Sequence, residues 1–322
     1  MKYRILGRTG YRVSEIGFGA WGIGKVMWKG AQDSESLKAL HTAVDEGVNF
    51  IDTALVYGNG HSEKLVGQLL REREERIYVA TKIPPRNQIW PARGSLEEAF
   101  PSDYIRSCTE RSLQNLAIDQ IDLIQLHVWS PEWLSDDSWY ECLCELKEEG
   151  KIAFFGISVN DHEPNSAIDL VRSGKVDTVQ VIYNIFDQSP EDQLFPACQE
   201  AGVGVIVRVP FDEGSLTGQI TPETTFPSGD WRNLYFKGDR KREVFERVKR
   251  LETLLDDSVR TLPELALRFC LSAEAVSTVI PGMRSVSHVK ENTSVSDKGK
   301  LPEGLTSKLR DHRWIRNFYP QP

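Results

Sequence analysis
Four side chains between positions 52 and 127 have the types and the spacing to do proton chemistry. Asp52 and Tyr57 lie in FIDTALVYGNG, just past the apolar run Val48 to Ile51, and Gly58 and Gly60 punctuate the turn that follows. Lys82 closes YVATK and His127 closes LIQLH. A phenol has a pKa near ~10, too high for efficient proton exchange at neutral pH. A neighbouring ammonium is expected to stabilise the phenolate and bring that value down. Asp52 would anchor Lys82 and keep it charged, while a neutral His127 would hydrogen-bond a carbonyl oxygen and orient it toward Tyr57. Tyr57 would then protonate that oxygen as hydride reaches the carbon, general acid catalysis commonly worth ~10²–10⁴-fold. No side chain donates hydride, so this chemistry requires a nicotinamide. Each residue alone says little: lysine often ends a strand as a solvated charge, and LH alone fits a satisfied core histidine. The set together is hard to explain by stability alone.

For the four to converge, the runs that carry them must be neighbouring strands with their ends at one face. Short β-rich runs do alternate with helix-length amphipathic segments along the chain. The expected strands are Ile16–Ala20, Asn49–Asp52, Tyr78–Lys82, Asp122–His127, Ala153–Ser158, Thr178–Tyr183, Val203–Val209 and Ser277–Pro281. Helices are expected over stretches such as Asp33–Glu46, Ser62–Arg71, Asp103–Leu116, Asp136–Glu149, Pro164–Arg172, Glu191–Ala201 and Lys241–Asp256. Many end in a glycine-bearing turn, as helix C-termini often do. Eight strands alternating with helices imply a parallel sheet, and the count suits one closed (β/α)8 TIM barrel spanning residues 1–322. GFGAWGIG lacks the spacing of the dinucleotide-binding fingerprint. YRILGRTGYRVSEIG reads as a β-hairpin turning at Arg8–Gly10 and capping one barrel end. The segments 127–136, 210–240 and 298–322 exceed ordinary connection lengths and are expected at the C-terminal face, where barrel enzymes hold their sites. They carry Trp129, Trp133, Phe211, Phe226, Trp231, Tyr235, Trp314 and Phe318, which suggests an aromatic-walled pocket.

Composition narrows the function classes. The 322 residues are 40% hydrophobic and 27% charged with a formal net charge of -8, as in a water-soluble globular protein without the basic face of a nucleic-acid binder. No apolar run reaches membrane-spanning length, because VGVIVRVPF is cut by Arg208 and Pro210. The N-terminal residues are too polar for a signal peptide, so a cytoplasmic location is expected. Five scattered cysteines, including the CxC at Cys142 and Cys144, read as reduced thiols, because no second pair or histidine cluster completes a zinc site.

From LGRTGYRVSEIGFGAWGIG through FIDTALVYGNGHSEKLVG, YVATK, DLIQLH and GKIAFFGIS to VIPGMRSVSHVKEN, the chain resembles the aldo-keto reductase superfamily over nearly its full length. The resemblance implies a (β/α)8 barrel that binds NADPH or NADP⁺ without a Rossmann motif and acts on a small-molecule carbonyl or alcohol. It places the family's catalytic tetrad on Asp52, Tyr57, Lys82 and His127. It implies nicotinamide-side contacts at Ser158, Asn160 and Gln180, and adenosine-side contacts at Gly282, Arg284, His288, Glu291 and Asn292. Further cofactor contacts are implied at Gly19, Ala20, Trp21, Asp52, Arg208, Phe211, Gly214 and Leu216, with Trp21, Tyr57, His127 and Trp129 lining the substrate pocket. Two departures stand out. The family runs Ser-Asn after its fifth strand, where this chain has Ser158-Val159-Asn160. After the seventh strand the family offers a tyrosine to stack on the nicotinamide, where this chain has Arg208. That arginine would lie over the nicotinamide, clamp an acidic substrate, or pair with Asp212 or Glu213.

Other histidines carry less. His41 lies on an amphipathic helix, His61 belongs to a helix entry with Ser62 as the expected N-cap, and His162 and His312 have no ligand-spaced partners. The leading expectation is NADPH-dependent reduction of an aldehyde or ketone. A sugar or polyol dehydrogenase would use the same residues. A cofactor-sensing subunit, like the barrels attached to potassium channels, would bind NADPH with negligible turnover.

Overall fold
The structure is a computed structural model that describes residues 1–26, 28–315 and 317; Phe318 lies outside the described residues. Strands β1 (Tyr3–Ile5) and β2 (Arg12–Ser14) form an antiparallel hairpin. Eight parallel strands follow: β3 (Phe18–Gly19), β4 (Phe50–Asp52), β5 (Tyr78–Ile83), β6 (Ile121–Leu126), β7 (Ile152–Ser158), β8 (Thr178–Ile182), β9 (Gly204–Arg208) and β10 (Val276–Val279). They are bonded in sequence order from β3 to β10. The sheet curls until its edges meet. Ile16 bridges Val279, Gly19 bridges Gly282, and the amides of Gly17 and Gly19 donate to Val279 O and Pro281 O at 2.8 and 3.0 Å.

Side chains on a strand alternate between faces, so one register decides what fills the barrel. Phe50, Ala80, Leu123, Ile206 and Ile280 form an apolar interior layer with Leu6 and Val13 of the hairpin. Two residues further along three of the same strands stand Asp52, Lys82 and Gln125, and Arg208 does so on β9. The interior therefore changes from apolar to ionic toward the C-terminal ends, which is how one alternation both builds a core and presents a site.

The hairpin closes the other end, as its sequence suggested. Tyr11 stacks on Tyr78 at 4.3 Å between centroids and meets Phe154 edge-on at 5.0 Å. Arg4 donates to Leu271 O and Val276 O, and Arg8 to Gly174 O and Ala201 O.

Helices cover the outside. The helix Ser102–Leu116 buries Ile105, Cys108, Thr109, Ser112 and Leu116, the stripe of an amphipathic helix. The helix after β4 runs His61–Glu72 with Gly60 at its N-cap, so Ser62 is not the cap. Its hydroxyl instead donates to Ala20 O and accepts from Thr53, tying the helix to the ends of β3 and β4. A long connection that composition alone did not flag joins β5 to the helix at Ser102. It contains a short helix, Leu96–Ala99, opened by a Ser95/Glu98 capping box. All five cysteines are unpaired. Among the described residues, no helix is long and apolar enough to cross a membrane.

Candidate active site
At the C-terminal mouth Lys82 is wholly buried, and its ammonium has three neighbours. Nζ donates to Asp52 Oδ2 at 2.6 Å and to Thr53 O at 2.7 Å, and lies 3.4 Å from the Tyr57 hydroxyl. Gln180 Nε2 donates to the other oxygen, Asp52 Oδ1, at 2.7 Å. A carboxylate only accepts, so this bond fixes which way the Gln180 amide faces. The turn that carries Tyr57 depends on glycine: Gly58 has φ +67°, and a Cβ there would sit 2.2 Å from Gly24 O. His127 follows β6, its amide bonded to Ile83 O, and its ring stands 5.8 Å from the Tyr57 ring. Among the described residues its Nδ1 has no hydrogen-bond partner.

Burial dominates the electrostatics. It lowers the Lys82 pKa, with Asp52 opposing, and it lowers His127 well below the usual imidazole value, helped by the charges of Lys82 and Arg208. His127 is therefore neutral at physiological pH. Tyr57 moves opposite to the sequence expectation. Burial first and Asp52 second push its phenol well above the usual value, against a lowering by Arg208. Lys82 does not reverse this, because its charge is neutralised by Asp52 at 2.6 Å and the phenol at 3.4 Å faces the pair rather than a bare cation. Tyr57 consequently holds its proton at neutral pH. A second buried carboxyl, Glu63, stands behind this group and accepts from Thr81 and Asn115 at 2.6 and 2.8 Å.

Around the tetrad, Ser158 and Gln180 are paired in register at the ends of β7 and β8. Both are buried, and among the described residues the Ser158 hydroxyl and Gln180 Oε1 make no hydrogen bond within the chain. One hydroxyl and one amide oxygen left open side by side suit a primary carboxamide, which offers both an acceptor and donors. Asn160 is engaged elsewhere: its amide donates to Glu163 at 3.0 Å, and its carbonyl accepts from the Ala92 amide at 3.1 Å. Arg208 Nη2 donates to Val159 O and Asp161 Oδ1, both at 2.7 Å, so its ion-pair partner is Asp161 and not Asp212 or Glu213. Asp212 is held instead by Tyr235 and Arg240.

Gly19 lies against Gly282 where the barrel closes, and the Ala20 amide donates to Asp52 O. Arg284 packs on Gly22, donates to Lys29 O at 3.0 Å and lies 5.6 Å from the Trp28 ring. His288 and Glu291 are exposed on the helix Val286–Thr293, and Asn292 is buried beneath them. Phe211 and Gly214 are half-buried after β9, whereas the Leu216 side chain is wholly in the core.

The pocket residues divide. Trp21 stands 6.4 Å from Tyr57, joining it and His127 at the mouth. Trp129 does not join them: it is fully buried, edge-on to Trp133 at 5.9 Å and Trp139 at 5.2 Å, in the layer between barrel and helices. The strand ends at Leu126, so alternation no longer places this indole, and it falls among other apolar rings. The place beside His127 is taken by Trp90, 4.9 Å away, and Trp231 lies 6.4 Å from Trp21. Trp90 sits in IPPRNQIWPARG, whose length and prolines were the available signal of a functional loop.

A closed parallel barrel with a buried lysine–aspartate pair against a phenol at its C-terminal mouth is an enzyme architecture. The sequence model of the aldo/keto reductase family matches residues 15–313. The chain is 31% identical over 309 residues to the NADH-specific methylglyoxal reductase of Escherichia coli, covering 91% of this chain and 93% of that protein. Among solved structures it is similar to the holo form of aldo-keto reductase AKR11C1 from Bacillus halodurans, with a TM-score of 0.77 and 29% identity over 97% of this chain and 96% of that one. It is also similar to the glycerol dehydrogenase AKR11B4 from Gluconobacter oxydans, with a TM-score of 0.79 and 26% identity over 97% and 94% of the two chains. The chain belongs to the aldo/keto reductase family, oxidoreductases that act on carbonyl and alcohol groups with nicotinamide cofactors.

Proposed function
We propose that this chain, one barrel domain acting in the cytosol, reduces an aldehyde or ketone to the alcohol with NADPH, and that Tyr57 is the general acid. The observation that carries this reading is the Lys82 ammonium, 2.6 Å from Asp52 and 3.4 Å from the Tyr57 hydroxyl in a buried mouth shared with a neutral His127. Bound at this mouth, a reduced nicotinamide supplies hydride. Ser158 and Gln180 would hold its carboxamide through their open oxygens. Tyr57, protonated at neutral pH, gives its proton to the substrate oxygen. Lys82, kept cationic by Asp52, steadies the phenolate left behind, and His127 orients the carbonyl by a neutral hydrogen bond. Trp21 and Trp90 border the same mouth and would contact the substrate.

Arg284 supports NADPH over NADH, because a guanidinium is suited to a 2′-phosphate. Run in reverse, the same groups oxidise an alcohol, a reading favoured by the likeness to a glycerol dehydrogenase. The test is Tyr57→Phe, assayed by stopped-flow NADPH oxidation over a carbonyl panel, alcohol oxidation with NADP⁺, and a cofactor titration. We expect kcat to fall ~10²–10⁴-fold with NADPH affinity kept. Retained kcat would refute the mechanism, and NADPH binding without turnover in the unmodified protein would make it a cofactor sensor.

A further inference from the structure
Around Glu213 the loops above β7 and β9 bring Asp161, Asp212 and Asp230 together with Arg208, Arg232 and Arg240, and each of these three aspartates is matched. Arg208 bonds Asp161 at 2.7 Å. Arg232 grips Asp230 with Nε and Nη2 at 2.8 and 2.9 Å. Arg240 reaches Asp212 at 3.3 Å and the Tyr235 hydroxyl at 2.6 Å, and that hydroxyl also bonds Asp212. Every guanidinium thus has its own aspartate. Glu213 is the carboxyl left over, and among the described residues it makes no hydrogen bond or ion pair.

Its position is imposed by the loop. Val209, Asp212 and Glu213 all take positive φ, at 56°, 47° and 56°, a conformation that non-glycine residues keep only where surroundings enforce it. The enforcing contacts are visible. Asn184 Nδ2 holds Val209 O at 3.0 Å, and the Asp212 carboxylate is locked in the interior by Tyr235 and Arg240. With Asp212 fixed, the adjoining Glu213 is half-buried and close enough to the mouth for its charge to act on Tyr57.

With all four carboxyls ionised, this cluster would carry one negative charge more than its arginines balance. A half-buried carboxyl without a partner relieves such an excess by keeping its proton. Burial first, then Asp212 and Asp161, push the Glu213 pKa up to about 8, against lowering by Arg208 and Arg232. Its charge is also felt across the mouth, where it raises the pKa of Tyr57, and at Tyr235.

We propose that Glu213 is a proton-gated cofactor-binding residue: protonated, it lets the barrel mouth accept the anionic dinucleotide, and ionised, it opposes it. This rests on the nicotinamide reading above. The sign follows from the acid. Below its folded pKa Glu213 is neutral and NADPH binds at full strength. Above it each ligand must either bring a proton with it or face an added negative charge.

The test is NADPH titration by ligand fluorescence from pH 6.5 to 9.5, on the native protein and on Glu213→Gln. If ionised Glu213 excludes the ligand, the native Kd rises about ten-fold between pH 7 and pH 9, while Glu213→Gln changes less than about two-fold. Calorimetry at pH 8 in two buffers of different ionisation heat should show proton uptake on binding by the native protein, a measurement that needs no variant. A flat native Kd, absent proton uptake, or an equal rise in Glu213→Gln would overturn the proposal while leaving the reductase reading intact. Failure of NADPH to bind at any pH would overturn both.

Discussion

Asp52→Asn isolates the worth of the buried ion pair. The substitution preserves shape but leaves a wholly buried ammonium facing neutral groups, where Asp52 had faced it at 2.6 Å. The amide must also turn its oxygen toward Lys82, which sets its own NH₂ against Gln180 Nε2 and forces Gln180 to flip. The cost has a ceiling, because Lys82 can shed its proton instead of staying charged. From an unfolded pKa of ~10.4 to pH 7, at ~1.36 kcal/mol per unit, neutralisation costs about 4–5 kcal/mol, within the range for removing one member of a buried pair. At ~2.1 cal/mol/K per residue over 322 residues, each kcal/mol lowers Tm by about 1.5 °C, so a fall of roughly 6–7 °C is expected. The sign with pH is distinctive. The unfolded variant binds a proton that the folded variant lacks, so its deficit grows as pH falls below ~10.4 and shrinks to roughly 2 kcal/mol at pH 9. Urea melts of both proteins at pH 7 and pH 9 measure this directly. A deficit equal at the two pH values, or below about 1 kcal/mol at pH 7, would refute the assignment of the cost to Lys82.

Two further substitutions probe the cofactor side. Arg284→Ala should weaken NADPH binding by about 10–100-fold, the range for one charge-assisted hydrogen bond, and NADH binding far less; equal losses in paired titrations would remove Arg284 from the 2′-phosphate. Arg208→Tyr replaces a cation by a ring and leaves Asp161 without its guanidinium. It should therefore tighten NADP⁺ more than NADPH, and an unchanged affinity ratio with a raised KM for acidic substrates alone would assign Arg208 to a substrate clamp.

The sequence was most legible where one local rule decides the outcome. Strand alternation carries Asp52 and Lys82 to the inner face, because Phe50 and Ala80 two residues earlier must be core. The hairpin was readable from its turn and alternating flanks. What stayed hidden depended on partners distant in sequence. The Arg208–Asp161 pair joins the ends of two strands, and no pattern within either segment distinguishes Asp161 from the acids after β9. Asn160 looked free for a ligand until the β5 connection folded its Ala92 amide onto it. Trp129 and Trp90 exchanged places for a similar reason. Aromatic residues on long loops look alike in one dimension, and only the packing of Trp133 and Trp139 decides which indole is interior. The direction of the Tyr57 shift needed its burial and the Lys82–Asp52 distance, since a paired ammonium does not offset burial as a bare one would.

The meeting of the barrel's two edges has a consequence for synthesis. Gly17 and Gly19 bond to Val279 and Pro281, and Arg4 to Val276, a partner 272 residues along the chain. One edge of β3 therefore waits, with its backbone groups unpaired, until β10 has left the ribosome. During that interval β3 is an open edge able to pair with a neighbouring chain. Contacts of such long separation also make closure a late and slow event in refolding. The aspartate, the lysine and the histidine can gather on a partial sheet from the first half of the chain. Ring closure, and with it the Gly19–Gly282 contact beside the mouth, waits until the chain has extended past residue 282.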